Sequence, residues 1–169
     1  TDTISTKVKE QYEENRYPRW VNLGLPQMPL SISKLTNQLN LKITSPLIKH
    51  TSQPQILVAG CGTGQHSSEV ACKYRDCKVL AIDLSLRSLA YAKRKTEELG
   101  LENIEYMQAD ILDLSKLNKR FDIIESVGVL HRMDDPMAGW KVLADTLKPG
   151  GLMLIGLYSK LGRNGVVQI

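Results

Sequence analysis

A glycine-rich segment, AGCGTGQH at residues 59–66, carries the strongest chemical signal in the 169-residue sequence. It follows a short apolar run and precedes a helical pattern, so we expect a loop between a strand and a helix. Gly60, Gly62 and Gly64 allow sharp turns and a close approach of the backbone to a ligand. The N–H groups and positive dipole end of the next helix favour a carboxylate or phosphate. The segment therefore predicts a ligand-binding loop, with a purely structural turn as the alternative.

The spacing of these glycines argues against a dinucleotide fingerprint, which requires G-x-G-x-x-G. Counted from Gly60, the sixth position is Gln65, and the loop reads G-x-G-x-G. Asp83 ends the next apolar run, where an acidic side chain can accept hydrogen bonds from ribose hydroxyls. Helix capping is the alternative role for Asp83. Together the loop and Asp83 indicate a nucleoside ligand.

Two later segments add candidate polar residues. Asp110 follows a third apolar run, where it either contacts the ligand or caps a loop. Glu125 lies near the end of a fourth run and is expected to face the ligand. His131 is a candidate general base because histidine titrates near neutral pH, although a polar loop residue is the favoured interpretation. No His or Cys group has the spacing of a metal site, so we expect no metal.

The elements that must position these residues alternate regularly after Gln53. Strands that are apolar throughout are buried on both faces, as in a parallel sheet covered by helices. Ser85 and either Asp134 or Asp135 are expected to cap helices. The predicted fold is therefore a doubly wound α/β domain over residues 54–169, preceded by a helical and loop arm over residues 1–53. The strands are predicted at residues 55–59, 78–83, 103–109, 121–127 and 152–158, and helices at about 31–39, 65–74, 85–99 and 135–147.

Composition limits the class of protein. The sequence is 42% hydrophobic and 24% charged, with a net charge of +4, which suits one globular domain. The cluster at residues 93–95 fits a solvated helix face, so nucleic acid is not indicated as a partner. Three cysteines without a CxxC pair favour free thiols and a cytoplasmic location. The apolar runs are too short to span a membrane.

The segments AGCGTGQH, AIDLS, QADILDL, FDIIESVGVLHRMDDP and LKPGGLMLIGLYS, taken in order, resemble the class I S-adenosylmethionine-dependent methyltransferases over about residues 55–159. The resemblance implies a Rossmann-like sheet of order 3-2-1-4-5, S-adenosylmethionine as cofactor and S-adenosylhomocysteine as product. It implies that the loop holds the methionine part and that Asp83 binds the ribose. It also implies contacts of Asp110 with the adenine amino group. The cofactor-binding residues it implies are Gly60, Cys61, Gly62, Gly64, Asp83, Leu84, Asp110, Ile111, Ser126 and Val127.

The sequence departs from this family at two points. The family core has seven strands, whereas five are predicted here, so strand five is expected to expose an apolar edge. A homodimer or a missing C-terminal segment would cover that edge, and the chain is interpreted as a fragment on this ground. No substrate motif follows strand four, which favours a small-molecule acceptor. A non-catalytic cofactor-binding module and, less favoured, an NAD-dependent oxidoreductase domain remain as alternatives. Tyr12, Tyr17, Arg19 and Trp20 are either a lid or a docked arm.

Overall fold

A parallel sheet of five strands is the framework of the protein in the computed structural model, which describes residues 6, 10, 13, 14 and 20–158. The strands lie in the spatial order β3-β2-β1-β4-β5, and neighbouring strands are parallel. This arrangement confirms the predicted α/β class and strand order. The strands are β1 (Gln55–Ala59), β2 (Lys78–Asp83), β3 (Ile104–Gln108), β4 (Phe121–Val127) and β5 (Leu147–Gly156).

The sheet is buried on both faces, which explains why β1 is apolar along its length. Ile56 and Val58 belong to a core on one face, and Leu57 and Ala59 belong to a second core on the other face. Side chains of a strand alternate between the two faces of the sheet. When both faces are covered, every position of the strand is buried and favours an apolar residue. The central strands are therefore fixed in the interior, and their carboxyl ends share one edge of the sheet.

Helices cover both faces of the sheet. Three helices pack on the first core through Ile48, Val70 and Leu89, and a fourth helix lies beside them. A fifth helix packs on the second core through Leu143. Two 3₁₀ helices, Ile111–Leu117 and Leu130–Arg132, also pack on the second face through Leu114 and Leu130. The α-helices are α1 (Ile32–Gln38), α2 (Pro46–Lys49), α3 (Gln65–Lys73), α4 (Leu86–Glu98) and α5 (Pro136–Thr146).

The predicted helix caps are present. The Ser85 hydroxyl accepts a hydrogen bond from the Ser88 N–H at 3.1 Å, which begins α4. Asp135, rather than Asp134, caps α5 by accepting from the N–H groups of Met137 and Ala138. These side chains satisfy N–H groups that have no partner within the helix, and so they determine where each helix begins.

The fifth strand begins earlier than predicted. A helix was predicted over about residues 135–147 and a strand from residue 152, but β5 starts at Leu147 and ends at Gly156. Leu147 pairs with Phe121, and the register then shifts so that Leu152 pairs with Ile123. The segment KPGG is therefore an irregularity within the strand, made possible by Gly150 at φ +77°. β5 lies at the edge of the sheet, and the exposed fraction of Leu154 is 49%.

Candidate functional site

A cavity of about 450 Å³ opens at the carboxyl ends of the central strands. This volume lies within the range of small-molecule and cofactor sites, and the position is the edge where open α/β sheets bind ligands. Most of the residues predicted to bind the cofactor line it: Gly60, Cys61, Gly62, Asp83, Leu84, Asp110, Ile111 and Val127. The structure therefore brings together residues that are up to 67 positions apart in the sequence.

The glycine loop turns sharply between β1 and α3. Gly60, Gly62 and Gly64 have φ values of +77°, +53° and +86°, which favour glycine. The N–H groups of Gly60 and Cys61 both donate to the carbonyl of Ile82, at 2.8 and 2.9 Å. The loop is thereby tied to β2, and its inner side forms one wall of the cavity.

Gly64 and Ser126 do not line the cavity. A Cβ atom on Gly64 would lie 2.6 Å from Cβ of Ala92, so this glycine permits the loop to pack on α4. The Ser126 hydroxyl donates to the carbonyl of Ala59 at 3.1 Å and joins β4 to β1. Gly64 and Ser126 therefore support the site from behind its lining.

Cys61 lines the cavity, and burial raises the pKa of its thiol, which stays protonated.

Asp83 connects the glycine loop to α4. Its Oδ2 accepts from the Gly62 N–H at 2.8 Å, and its Oδ1 accepts from the Ser85 N–H at 3.0 Å. Burial raises the pKa of Asp83, and the hydrogen bonds from Ser85 and Gly62 partly oppose that shift. Each carboxylate oxygen has two lone pairs, so Asp83 retains the capacity to accept from a ligand in the cavity.

Asp110 caps a loop, which is one of its two predicted roles, and one of its carboxylate oxygens makes no hydrogen bond to the described residues. Its Oδ1 accepts from the Leu112 N–H at 3.0 Å and caps the first 3₁₀ helix. Its Oδ2 is buried, and no hydrogen bond reaches this atom from any residue that the structure describes. Buried carboxylate oxygens are costly to leave without a donor. Since Asp110 lines the cavity, a donor on a bound molecule would satisfy Oδ2.

Glu125 does not line the cavity, contrary to the expectation that it faces the ligand. It is 1% exposed and accepts from Nε2 of His66 at 2.7 Å, from Nζ of Lys73 at 2.9 Å and from the Tyr74 hydroxyl at 3.0 Å. Burial alone would raise its pKa, but the hydrogen bond from His66 and the charge of Lys73 lower the pKa to about 2. Glu125 is therefore an ionised carboxylate behind the cavity wall.

His131 lies in the second 3₁₀ helix, outside the cavity lining. Its ring stacks at a tilt on Tyr158, with centroids 4.3 Å apart. Its neighbours Arg132 and Met133 do line the cavity, as does Tyr158. This placement favours the loop interpretation of His131, and its catalytic role stays a prediction.

The candidate lid is described only in part. Trp20 is buried, and its indole Nε1–H donates to the carbonyl of Thr63 at 3.0 Å. Its ring also meets Tyr91 of α4 edge to face, at 6.2 Å between centroids. Trp20 thus anchors the chain against the glycine loop, while Tyr12, Tyr17 and Arg19 lie outside the described residues.

Several residues of the cavity wall were not predicted from the sequence. His66 lies two residues after Gly64, in the first turn of α3, and this closeness to the loop is a signal that would have identified it. Glu69 lies one turn further along α3, and Gln65 donates to it at 3.3 Å. Arg132 and Tyr158 carry no such signal because their position depends on how the chain folds after β4 and β5. The other lining residues that were missed are Thr63, Gln65, Ser85, Ala109, Gly128, Val129 and Met133.

Over residues 20–158 and the four described before them, no group of three His, Cys, Asp or Glu side chains is arranged to hold a metal ion. In the same part of the chain, no helix combines the length and apolar character that a membrane crossing requires.

Sequence comparison gives a family and several relatives. The profile of a family described as a methyltransferase domain matches residues 56–151. An uncharacterized protein of Synechococcus is 37% identical over 69% of this chain and 28% of its own length. An ubiquinone biosynthesis O-methyltransferase of Coxiella burnetii is 32% identical over 86% of this chain and 58% of its own length. The chain thus spans between about a quarter and three fifths of these curated relatives.

Solved structures share the fold. PKMT2 of Rickettsia typhi, solved in complex with AdoHcy, has a TM-score of 0.59 and 26% identity over 66% of this chain and 22% of that chain. The [4+2]-cyclase SpnF has a TM-score of 0.66 and 22% identity over 89% of this chain and 59% of that chain. At that identity, SpnF supports the fold alone.

Proposed function

Since the chain belongs to the class I S-adenosylmethionine-dependent methyltransferases, we propose that it binds this cofactor in the cavity and methylates an oxygen of a small molecule. The observation that carries the proposal is the buried Oδ2 of Asp110, which has no donor among the described residues. The adenine amino group of the cofactor is a donor of the required kind. The AdoHcy complex of PKMT2 supports the same choice of ligand.

The cavity offers a place for each part of the cofactor. Asp110 would accept from the adenine amino group, with Leu84 and Ile111 against the ring. Asp83 would accept from the ribose hydroxyls through its remaining lone pairs. The loop from Gly60 to Gly62 would follow the methionine part, which ends near Val127. These assignments join the geometry of the cavity to the roles that family membership suggests.

When bound, the cofactor supplies a methyl group on a positively charged sulfur, which is an activated leaving group. The protein then has to align the acceptor and exclude water, and alignment alone contributes about 7–11 kcal/mol. An oxygen acceptor is supported by the Coxiella relative, whose name gives O-methyl transfer. A small acceptor is supported by the size of the cavity, about 450 Å³, whose lining includes Met133 and Tyr158.

Calorimetric titration with S-adenosylhomocysteine, with NAD in parallel, tests the proposal. We expect micromolar binding of S-adenosylhomocysteine alone. Binding of NAD alone would favour an oxidoreductase domain, and binding of neither ligand would contradict the assignment of the cavity. S-adenosylhomocysteine binding without methyl transfer to a broad set of small hydroxyl compounds would favour a non-catalytic module.

Asp110→Asn tests the observation on which the proposal rests. The amide places N–H donors or a weaker acceptor opposite the adenine amino group, so we expect affinity for S-adenosylhomocysteine to fall about 10- to 100-fold. Asp113→Asn is the matched control, because Asp113 is on the same 3₁₀ helix but is exposed and pairs with Lys116 at 2.6 Å. Circular dichroism checks that both variants fold. Equal affinity in the two variants would refute the adenine assignment.

A further inference from the structure

A buried carboxylate holds a histidine at the wall of the cavity. Oε2 of Glu125 lies 2.7 Å from Nε2 of His66, whereas Oε1 accepts from Lys73 and Tyr74. Burial raises the pKa of Tyr74, so its hydroxyl stays protonated and donates. Each carboxylate oxygen thus has separate partners, and Oε2 is committed to His66.

This contact determines which nitrogen of His66 can react. An ionised carboxylate only accepts hydrogen bonds, so Nε2 of His66 carries a hydrogen. In the neutral imidazole the other nitrogen, Nδ1, then has the lone pair. His66 lines the cavity, and 31% of its side chain is exposed. Nδ1 is therefore the ring nitrogen that remains for a molecule in the cavity.

The other polar side chains of the cavity wall are less suited to accept a proton. Asp83 and Asp110 would be occupied by the ribose hydroxyls and the adenine amino group of the proposed cofactor, and the Arg132 side chain has only donors. Glu69 accepts from Gln65. The titratable groups near His66 are Glu69, Lys73 and Tyr74 on its own helix and neighbouring cap, Glu125 on β4, and the other lining residues Cys61, Asp83, Asp110, Arg132 and Tyr158.

We propose that His66 accepts the proton of the acceptor hydroxyl and that Glu125 is its positioning residue, an inference that rests on the methyl transfer proposed above. The hydroxyl oxygen forms a bond to the methyl carbon as its proton passes to Nδ1 of His66. The bond between sulfur and the methyl carbon breaks, and its electron pair stays on sulfur. The positive charge thus moves from sulfur to the imidazole, where Glu125 stabilises it through Nε2.

Two phenols of different acidity test this role. Catechol is protonated near neutral pH and needs a base, whereas 4-nitrocatechol is largely ionised at about pH 7.5 and does not. We expect His66→Gln to lower kcat for catechol about 100-fold or more, and for 4-nitrocatechol less than about 10-fold. Affinity for S-adenosylhomocysteine should stay within about 3-fold. His50→Gln is the control, because His50 is exposed at the end of α2 and does not line the cavity.

Glu125→Gln separates positioning from support of the fold. A neutral amide stabilises the imidazolium less, so we expect kcat for catechol to fall about 10-fold or more and the acid limb of its pH profile to move to lower pH. A pH profile of unchanged shape would overturn the positioning role. Destabilisation alone would lower the amount of active protein without moving the profile.

Nitrogen NMR of the histidine rings gives a readout that needs no turnover. The neutral ring of His66 should be the Nε2–H tautomer, and catechol added to the S-adenosylhomocysteine complex should shift its Nδ1 signal. An unshifted signal would overturn the assignment. Equal losses of kcat for both phenols, together with weaker S-adenosylhomocysteine binding, would also overturn it, because they would place His66 on the cofactor. Failure of the proposed function is seen separately, as absence of S-adenosylhomocysteine binding by the unmodified chain.

Discussion

Individual glycines of the binding loop have different physical tasks. Gly62 has open space around its α-carbon, whereas Gly60 and Gly64 are each closed in by a neighbouring side chain. A side chain on Gly60 would overlap Val129, which lines the cavity. Positive φ explains all three glycines, but close packing explains only two of them. Glycine is therefore required at Gly62 for its backbone conformation alone, and at Gly60 and Gly64 also because a neighbouring side chain packs closely there.

Gly64→Ala should be strongly destabilising. The new Cβ would lie 2.6 Å from Cβ of Ala92 and 3.0 Å from the Tyr106 hydroxyl, in a backbone conformation of φ +86°. Strain and overlap together should cost about 3 kcal/mol. Gly100→Ala is the control, since φ is +68° there but nothing lies within 4 Å, and about 1 kcal/mol is expected. Urea unfolding measures both, and equal costs would show that packing on α4 is not what selects glycine.

Among the elements, α4 is linked to Asp83 through its N-cap residue, Ser85. Ser85 is fully buried, and its hydroxyl caps the helix while its N–H donates to Asp83. Ser85→Ala keeps the N–H and removes only the cap, so the free energy of unfolding should fall by about 1 kcal/mol. S-adenosylhomocysteine affinity should change little, because the bond to Asp83 remains.

Ser45→Ala is the matched control for that prediction. Ser45 begins α2 in the same extended conformation but makes no capping hydrogen bond through its side chain. Its replacement should leave the stability almost unchanged when both proteins are unfolded in urea. A similar loss in both variants would mean that Ser85 acts through burial of its hydroxyl and not through the cap.

The element boundaries show how far local sequence determines the fold. β1, β2 and β4 were predicted with the bounds that the structure has, because apolar runs flanked by turn residues specify buried strands. The start of β5 was wrong, since pairing of Leu147 with Phe121 depends on a strand 26 residues away. Helix α2 and the two 3₁₀ helices were not predicted, because a helix of one turn and a 3₁₀ helix do not show the α-helical period.

In the candidate site, too, some residues could be predicted from the local sequence and others could not. Loop residues and the residues at strand ends were predictable because parallel strands bring their carboxyl ends to one edge of the sheet. The partners of Glu125 were not predictable, because His66 is 59 residues away and the two meet only where α3 packs on the sheet. The sequence alone therefore favoured a ligand-facing Glu125, whereas the fold places it behind the wall.

For the whole molecule, Glu125 links stability to pH. It lies on a central strand, next to Val58 of β1, and joins β4 to α3 across the first core. Its pKa falls from an ordinary value of 4.5 to about 2 on folding. The unfolded chain therefore binds its proton more readily than the folded chain, and stability is lost as the pH falls from 4.5 towards 2.

Glu125→Gln should remove this part of the acid sensitivity. At neutral pH the variant should be less stable by about 3 kcal/mol, since it loses a buried carboxylate with charged partners. Between about pH 5.5 and about pH 3.5, below the usual range of histidine titration, the difference from the unmodified protein should narrow by about 1 kcal/mol. Glu98→Gln is the control, because Glu98 pairs with Lys95 on the exposed face of α4, where solvent screens the pair. Urea unfolding at several pH values measures the difference, and parallel curves for Glu125→Gln and the unmodified protein would contradict an ionised carboxylate in the core.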